Sequence, residues 1–364
     1  MKIICVAGAR PNFMKIAPLM SAFKAEPSIE PMLVHTGQHY DEKMSDLFFR
    51  QLEIPEPDIN LGCGGGSHAQ QTAAVMTAFE PVVLEQRPDA VLVVGDVNST
   101  IACGMVAVKL GVKLIHVEAG LRSNDRTMPE EINRILTDSI SDMLFCTEKS
   151  GVENLLREGV PQEKIHLVGN VMIDTLVKNR AKAEAATILE DLRLTPQGYA
   201  VVTLHRPANV DDPEALTGLV DVLDAVQSDM PVIFPIHPRT RNHLAAAGLD
   251  ARVAGMANLR LMDPIGYLEF LKLTANAGIV LTDSGGIQEE TTILKVPCLT
   301  LRDNTERPIT CEVGTNRLVG TEPAGIISAY REAMNGSAKT EGTTPPLWDG
   351  HAAERIARII ATSA

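Results

Sequence analysis

The feature that most limits what this chain can fold into is a recurring unit. A short apolar run is followed by a turn of glycine and polar residues, and then by a helical stretch. In the first half the runs are residues 2–7, 31–36, 90–94, 113–117 and 143–146. In the second they are 199–204, 231–236, 258–261, 278–281 and 297–301. Continuous Val/Ile/Leu runs of this length suit strands buried on both faces, and none approaches the ~20 residues that span a bilayer. Strands alternating with helices predict parallel, doubly wound sheets.

With 364 residues there is room for two α/β domains, each with its own core. The pattern turns helical and charged at 169–191, and Thr195-Pro196-Gln197-Gly198 punctuates it. This predicts an N-terminal Rossmann-like domain over 1–170, a C-terminal one over 171–348, and a final amphipathic helix over 349–364 that packs back on the N-terminal domain. A helix over 42–52 is also expected. Two similar halves facing a cleft is the simplest architecture.

The most informative stretch is Leu281-Thr282-Asp283-Ser284-Gly285-Gly286-Ile287-Gln288-Glu289-Glu290. It reads as a strand end, a tight turn and a helix start, where free N–H groups and the helix dipole favour a phosphate. Ser284 can cap the helix or bond a phosphate oxygen, and Gly285 and Gly286 allow close backbone approach. Glu290 fits either a sugar hydroxyl or a solvated acidic helix face.

Ligands of open α/β sheets lie beyond the carboxyl ends of the strands. The residues expected there are Arg10, Lys15, Asp96, Glu118, His205 and Ser284. Cations and a histidine suit a leaving diphosphate, and carboxylates suit proton transfer. Each has a plainer reading. Arg10 and Lys15 fit a solvated loop, Asp96 a helix N-cap, Glu130 and Glu131 a helix first turn, and His205 a backbone-bonded strand end. Glu118 is harder to explain that way, since it ends an apolar strand and no helix follows it.

The net charge of −13, with no basic block, speaks against nucleic acid as a partner. Six scattered cysteines without a C-x-x-C pair are expected in a reduced, cytoplasmic protein without structural zinc. The glycine pattern is not G-x-G-x-x-G, so a nicotinamide cofactor is not indicated, and no H-E-x-x-H argues for a metal.

In order along the chain stand Gly8-Ala9-Arg10-Pro11 with Lys15, Gly37-Gln38-His39, Gly95-Asp96, His116-Val117-Glu118-Ala119-Gly120-Leu121-Arg122 and Pro129-Glu130-Glu131-Ile132-Asn133-Arg134. His205-Arg206, Thr282 to Glu290 and Arg302-Asp303-Asn304-Thr305-Glu306-Arg307-Pro308 follow. Over about three hundred residues this set resembles the non-hydrolysing UDP-N-acetylglucosamine 2-epimerases. The resemblance implies a GT-B fold, a homodimer, and interconversion of UDP-GlcNAc and UDP-ManNAc without metal or cofactor. The implied route eliminates UDP to a 2-acetamidoglucal and re-adds it with the opposite C2 configuration.

By motif, Asp96, Glu118 and Glu130 would be the acid/base set, with His205 beside the diphosphate. Arg10 and Lys15 would line the N-terminal side, Ser284, Gly285 and Gly286 would hold phosphate, Glu290 the ribose, and Arg307 and Phe270 would complete the nucleotide side. A hydrolysing relative, a GT-B glycosyltransferase and a silent nucleotide-sugar binder are the competing readings. The chain departs from the family pattern at Ala9 and Asn12 of the first loop, at Ala208, where an acid is usual, and at Tyr40 and Asp41 after His39. The last departure argues against activation by a second substrate molecule.

Overall fold

The computed structural model describes residues 1–37, 51–337 and 342–363, without the side chains of Arg10 and Ser337. The expected helix over 42–52 therefore falls almost entirely outside the described residues. The chain forms two compact units, Met1–Lys178 with Pro346–Ala364, and Asn179–Pro345.

In the first unit seven strands form one parallel sheet: β1 Lys2–Ala7, β2 Glu30–His35, β3 Ile59–Asn60, β4 Ala90–Val94, β5 Lys113–Val117, β6 Met143–Cys146 and β7 Ile165–Leu167. Their order is β3-β2-β1-β4-β5-β6-β7, so the winding reverses between β1 and β4. Every residue of β4 is buried, as a strand covered by helices on both faces requires. Val75 and Phe79 of the helix His68–Gln86 and Ala102 and Val106 of Asn98–Lys109 pack on β1 and β4 through Ile4, Val6, Val91 and Val93. The last helix, Ala352–Thr362, lies against the helix Arg10–Ala25. It is capped from a distance, because Ala352 N and Ala353 N donate to the Asp174 carboxylate at 3.1 and 2.7 Å.

The second unit holds six parallel strands: β8 Ala200–Thr203, β9 Val232–Pro235, β10 Leu259–Met262, β11 Ile279–Thr282, β12 Cys298–Thr300 and β13 Asn316–Leu318. Their order, β10-β9-β8-β11-β12-β13, reverses between β8 and β11. Alternate residues of β11 serve opposite cores, Ile279 and Leu281 on one face and Val280 on the other. Both units are thus doubly wound parallel α/β layers. The strands β3, β7 and β13, of two or three residues each, correspond to none of the apolar runs read from the sequence.

Candidate functional site

In the first unit the reversal point is spanned by Asn12. Its Oδ1 accepts from Gly8 N (3.1 Å) and Ala9 N (2.9 Å), and its Nδ2 donates to the Val94 carbonyl (3.2 Å). One turn along the same helix the buried Lys15 ammonium contacts the Glu118 carboxylate at the end of β5. Since β4 lies between β1 and β5, that pair crosses over the turn after β4, and the turn residue is Gly95. A Cβ on Gly95 would stand 3.0 Å from Lys15 Nζ and 3.8 Å from the Glu118 carboxylate, at a φ of +66°.

Glu118 itself holds a φ of 75°, a left-handed conformation that costs a non-glycine residue roughly 1–2 kcal/mol. Glu118 N and Ala119 N both donate to Phe145 O at 3.0 Å, which imposes the turn. Strain of this kind concentrates at working sites.

Asp96 is not a helix cap, for the cap position of Asn98–Lys109 is Val97. Its carboxylate receives the Arg134 guanidinium, and its carbonyl accepts from Asn133 Nδ2 at 2.9 Å. The other arm of Arg134 reaches Glu131 at 2.5 Å. Glu131 is buried and also accepts from Ser123 N, Ser123 Oγ and Asn124 N at 2.9–3.0 Å. Its neighbour Glu130, in the first turn of the helix Pro129–Ile140, is exposed. The helix therefore turns one glutamate into the loop and the other outward. His116 ties the same region together, with Nδ1 at 2.7 Å from Asp138 and Nε2 at 2.8 Å from the Gly95 carbonyl.

Of the remaining first-unit candidates, Arg10 opens its helix, but its side chain lies outside the described structure. Gln38, His39, Tyr40 and Asp41 also lie outside the described residues.

In the second unit the reversal point joins the ends of β8 and β11. Thr203 and Thr282 pair in register and share a hydroxyl bond of 2.7 Å. Just beyond them is Asp283, which sequence reasoning passed over as one residue of a phosphate loop. Its buried carboxylate accepts from His205 N (2.9 Å), Arg206 N (2.9 Å) and Asn209 Nδ2 (3.1 Å), and faces His205 Nδ1 at 2.9 Å. Burial raises the Asp283 pKa, but the His205 ring, Arg206 N–H and Asn209 outweigh it, so the carboxyl is held below its ordinary range.

Ser284 occupies the cap position of the helix Gly285–Leu294, yet its side chain makes no capping bond. Ser284, Gly285 and Gly286 are half-buried. A Cβ on Gly285 would meet Arg307 Nη1 and Glu306 Oε1 at 2.7 Å, so glycine is needed there for the close approach of that ion pair. Arg307 is buried and bonded to Glu289 (2.5 Å) and Glu306 (2.7 Å). Burial opposes ionisation of Glu306, but Arg307, Arg302 and Arg206 together hold it far below the usual carboxylate range.

Glu290 is buried in the same helix. Its Oε1 accepts from Tyr267 Oη at 3.2 Å, and its Oε2 has no hydrogen-bond partner among the described residues. Burial pushes its pKa up to about 7; the Tyr267 bond works against the rise and Glu289 adds to it. Phe270, half-buried on Tyr267–Ala275, packs on the core face that contains Leu273 and Val280. Among the described residues no cluster of three or more His, Cys, Asp or Glu could hold a metal ion, and no helix is long and apolar enough to cross a membrane.

These features can be set beside known proteins. The profile of the UDP-N-acetylglucosamine 2-epimerase family matches residues 21–361. A UDP-N-acetylglucosamine 2-epimerase of Methanocaldococcus jannaschii is 43% identical over 368 residues, covering 99% of each chain. A UDP-2,3-diacetamido-2,3-dideoxy-D-glucuronate 2-epimerase of Pseudomonas aeruginosa is 41% identical over 368 residues, with the same coverage. The crystal structure of the M. jannaschii enzyme with UDP-GlcNAc and UDP superposes with a TM-score of 0.93 at 43% identity, over 100% of both chains. The fold is thus that of these epimerases, two Rossmann-like units of the GT-B class.

Proposed function

The chain belongs to the UDP-N-acetylglucosamine 2-epimerase family, and from that membership we propose that it inverts C2 of UDP-N-acetylglucosamine, giving UDP-N-acetylmannosamine, by the non-hydrolysing route. UDP is eliminated to a 2-acetamidoglucal and then re-added. The observation that carries this reading is the Lys15–Glu118 pair crossing Gly95, with Asp96 on the next residue. Removing the weakly acidic C2 proton needs a positioned carboxylate, and returning it on the opposite face needs a second acid. Asp96 and Glu118 supply the two, and exposed Glu130 is free to move a proton to or from solvent.

The second unit is the nucleotide side. Ser284 N-caps its helix by position only, leaving its hydroxyl for a phosphate oxygen beside the backbone N–H groups of Gly285 and Gly286. His205 serves the diphosphate as negative charge grows on the departing UDP. Glu290 Oε2 is a buried acceptor that a ribose hydroxyl satisfies. Arg307 acts at the nucleotide side by holding Glu289 and Glu306 in place, and Phe270 supplies an apolar wall. Arg10 and Lys15 line the sugar-phosphate side of the first unit. No cofactor takes part, and the working form is a homodimer.

The P. aeruginosa relative supports a second reading, in which the sugar is a UDP-linked acetamido uronic acid. The test is product analysis by proton and phosphorus NMR with UDP-GlcNAc and with UDP-2,3-diacetamido-2,3-dideoxyglucuronate. A stable mixture of UDP-GlcNAc and UDP-ManNAc is expected. Turnover of the diacetamido sugar alone would favour the second reading. Transfer to an acceptor, or binding without any turnover, would overturn both.

A further inference from the structure

We propose that Asp283 is a positioning residue that locks the His205 imidazole with its Nδ1–H inward, so that Nε2 is the working nitrogen offered to the diphosphate. The part that concerns the diphosphate rests on the epimerase reading, whereas the ring's tautomer does not.

Three observations carry the inference. The Asp283 side chain is 0% exposed, while the ring of His205 is 56% exposed, so one end of the ring is fixed and the other is open. The carboxylate has no proton of its own to give and therefore accepts from every group that faces it. With His205 N, Arg206 N and Asn209 Nδ2 already donating, His205 Nδ1, at 2.9 Å, must also present a hydrogen. The acceptor is itself braced. Asn209 Nδ2 is also 3.2 Å from the Leu301 carbonyl, and Asp283 N donates to Thr203 O at 3.2 Å, which anchors the carboxylate to β8 and to the end of β12.

The result is a base or acid oriented by a buried carboxylate, with the free nitrogen fixed by the hydrogen bond that the other one makes. It also accounts for Asn209, which directly follows Ala208, the position where an acid is usual. Its amide braces Asp283 and needs no neighbouring carboxylate.

The test is a long-range proton–nitrogen correlation spectrum of ring-labelled wild-type protein across pH, with His205 assigned by its loss in His205→Asn. Nδ1 should remain protonated throughout, and only Nε2 should titrate. A neutral ring carrying its hydrogen on Nε2 would overturn the proposal, and this reading requires no variant of Asp283. In the isosteric Asp283→Asn an amide donor faces Nδ1, so the hydrogen should move to Nε2. There kcat should fall about 10²–10⁴-fold with KM and UDP affinity retained. In a His205→Asn background the same change should cost little more.

Equal losses in both backgrounds, or loss of UDP binding instead of kcat, would make Asp283 a loop-building residue and overturn the proposal. Absence of turnover in the wild type would overturn the epimerase reading alone, leaving the tautomer spectrum to decide the positioning.

Discussion

Lys15 and Glu118 form a buried ion pair that crosses directly over Gly95, with Glu118 held at a φ of 75°. Removing one member of a buried ion pair is strongly destabilising, by about 3–5 kcal/mol, because the remaining charge loses its main compensation. Lys15→Met should therefore destabilise strongly. The double variant Lys15→Met/Glu118→Gln should recover much of that loss, because neither charge remains. Urea unfolding of the two variants tests this, and equal midpoints would remove the argument.

Gly95→Ala introduces a methyl group 3.0 Å from the Lys15 ammonium and forces alanine into a left-handed backbone. The backbone alone costs roughly 1–2 kcal/mol. Displacement of Lys15 should lower kcat beyond what the fall in stability explains. Steady-state kinetics well below the melting temperature would separate the two effects.

Adjacent glutamates should behave in opposite ways. Glu131→Gln disturbs a buried carboxylate that accepts from Ser123 and Asn124 and holds Arg134, so a loss of ~1–3 kcal/mol is expected. Exposed Glu130→Gln should leave stability unchanged and lower kcat about 10²–10⁴-fold if it carries protons. Thermal melts and turnover, measured side by side, check both.

The raised pKa of Glu290 gives a pH dependence of stability with a definite sign. The native carboxyl keeps its proton up to about 7, whereas the unfolded one loses it near 4.5. Between those values the native state binds more protons, so stability should fall as pH rises through the window and level off above it, by roughly 3 kcal/mol at most. Glu290→Gln should flatten the slope. Asp283 acts in the other direction and elsewhere: its depressed pKa gives stability that is present above 3.8 and lost as pH falls below it. Because His35 and His166, whose pKa values burial lowers, also act in this range, the Glu290 effect is read as the difference between wild-type and Glu290→Gln urea midpoints from pH 4.5 to 8.

The sheets were legible in the sequence because continuous Val, Ile and Leu mark a doubly covered strand, and Gly95-Asp96 and Ser284-Gly285-Gly286 mark where such strands stop. Glu118 also stood out, since no helix followed that it could cap. The side of a helix that faces inward was not legible. Glu130 and Glu131 share a first turn, and only the loop at Ser123 and Asn124 decides that Glu131 is the one enclosed. Arg307 read as a nucleotide ligand, and nothing local reveals that Glu289, eighteen residues earlier, folds back against it. Asp283 was hidden for the same reason, because its partners His205, Arg206 and Asn209 come from a different strand end.

The most direct test of the central claim is a proton NMR time course of the purified protein with UDP-GlcNAc in deuterated water, without added metal or nicotinamide. The account predicts a stable mixture of UDP-GlcNAc and UDP-ManNAc in which deuterium enters C2 of both sugars. Free ManNAc accumulating with stoichiometric UDP, or epimers that keep their C2 proton, would contradict it.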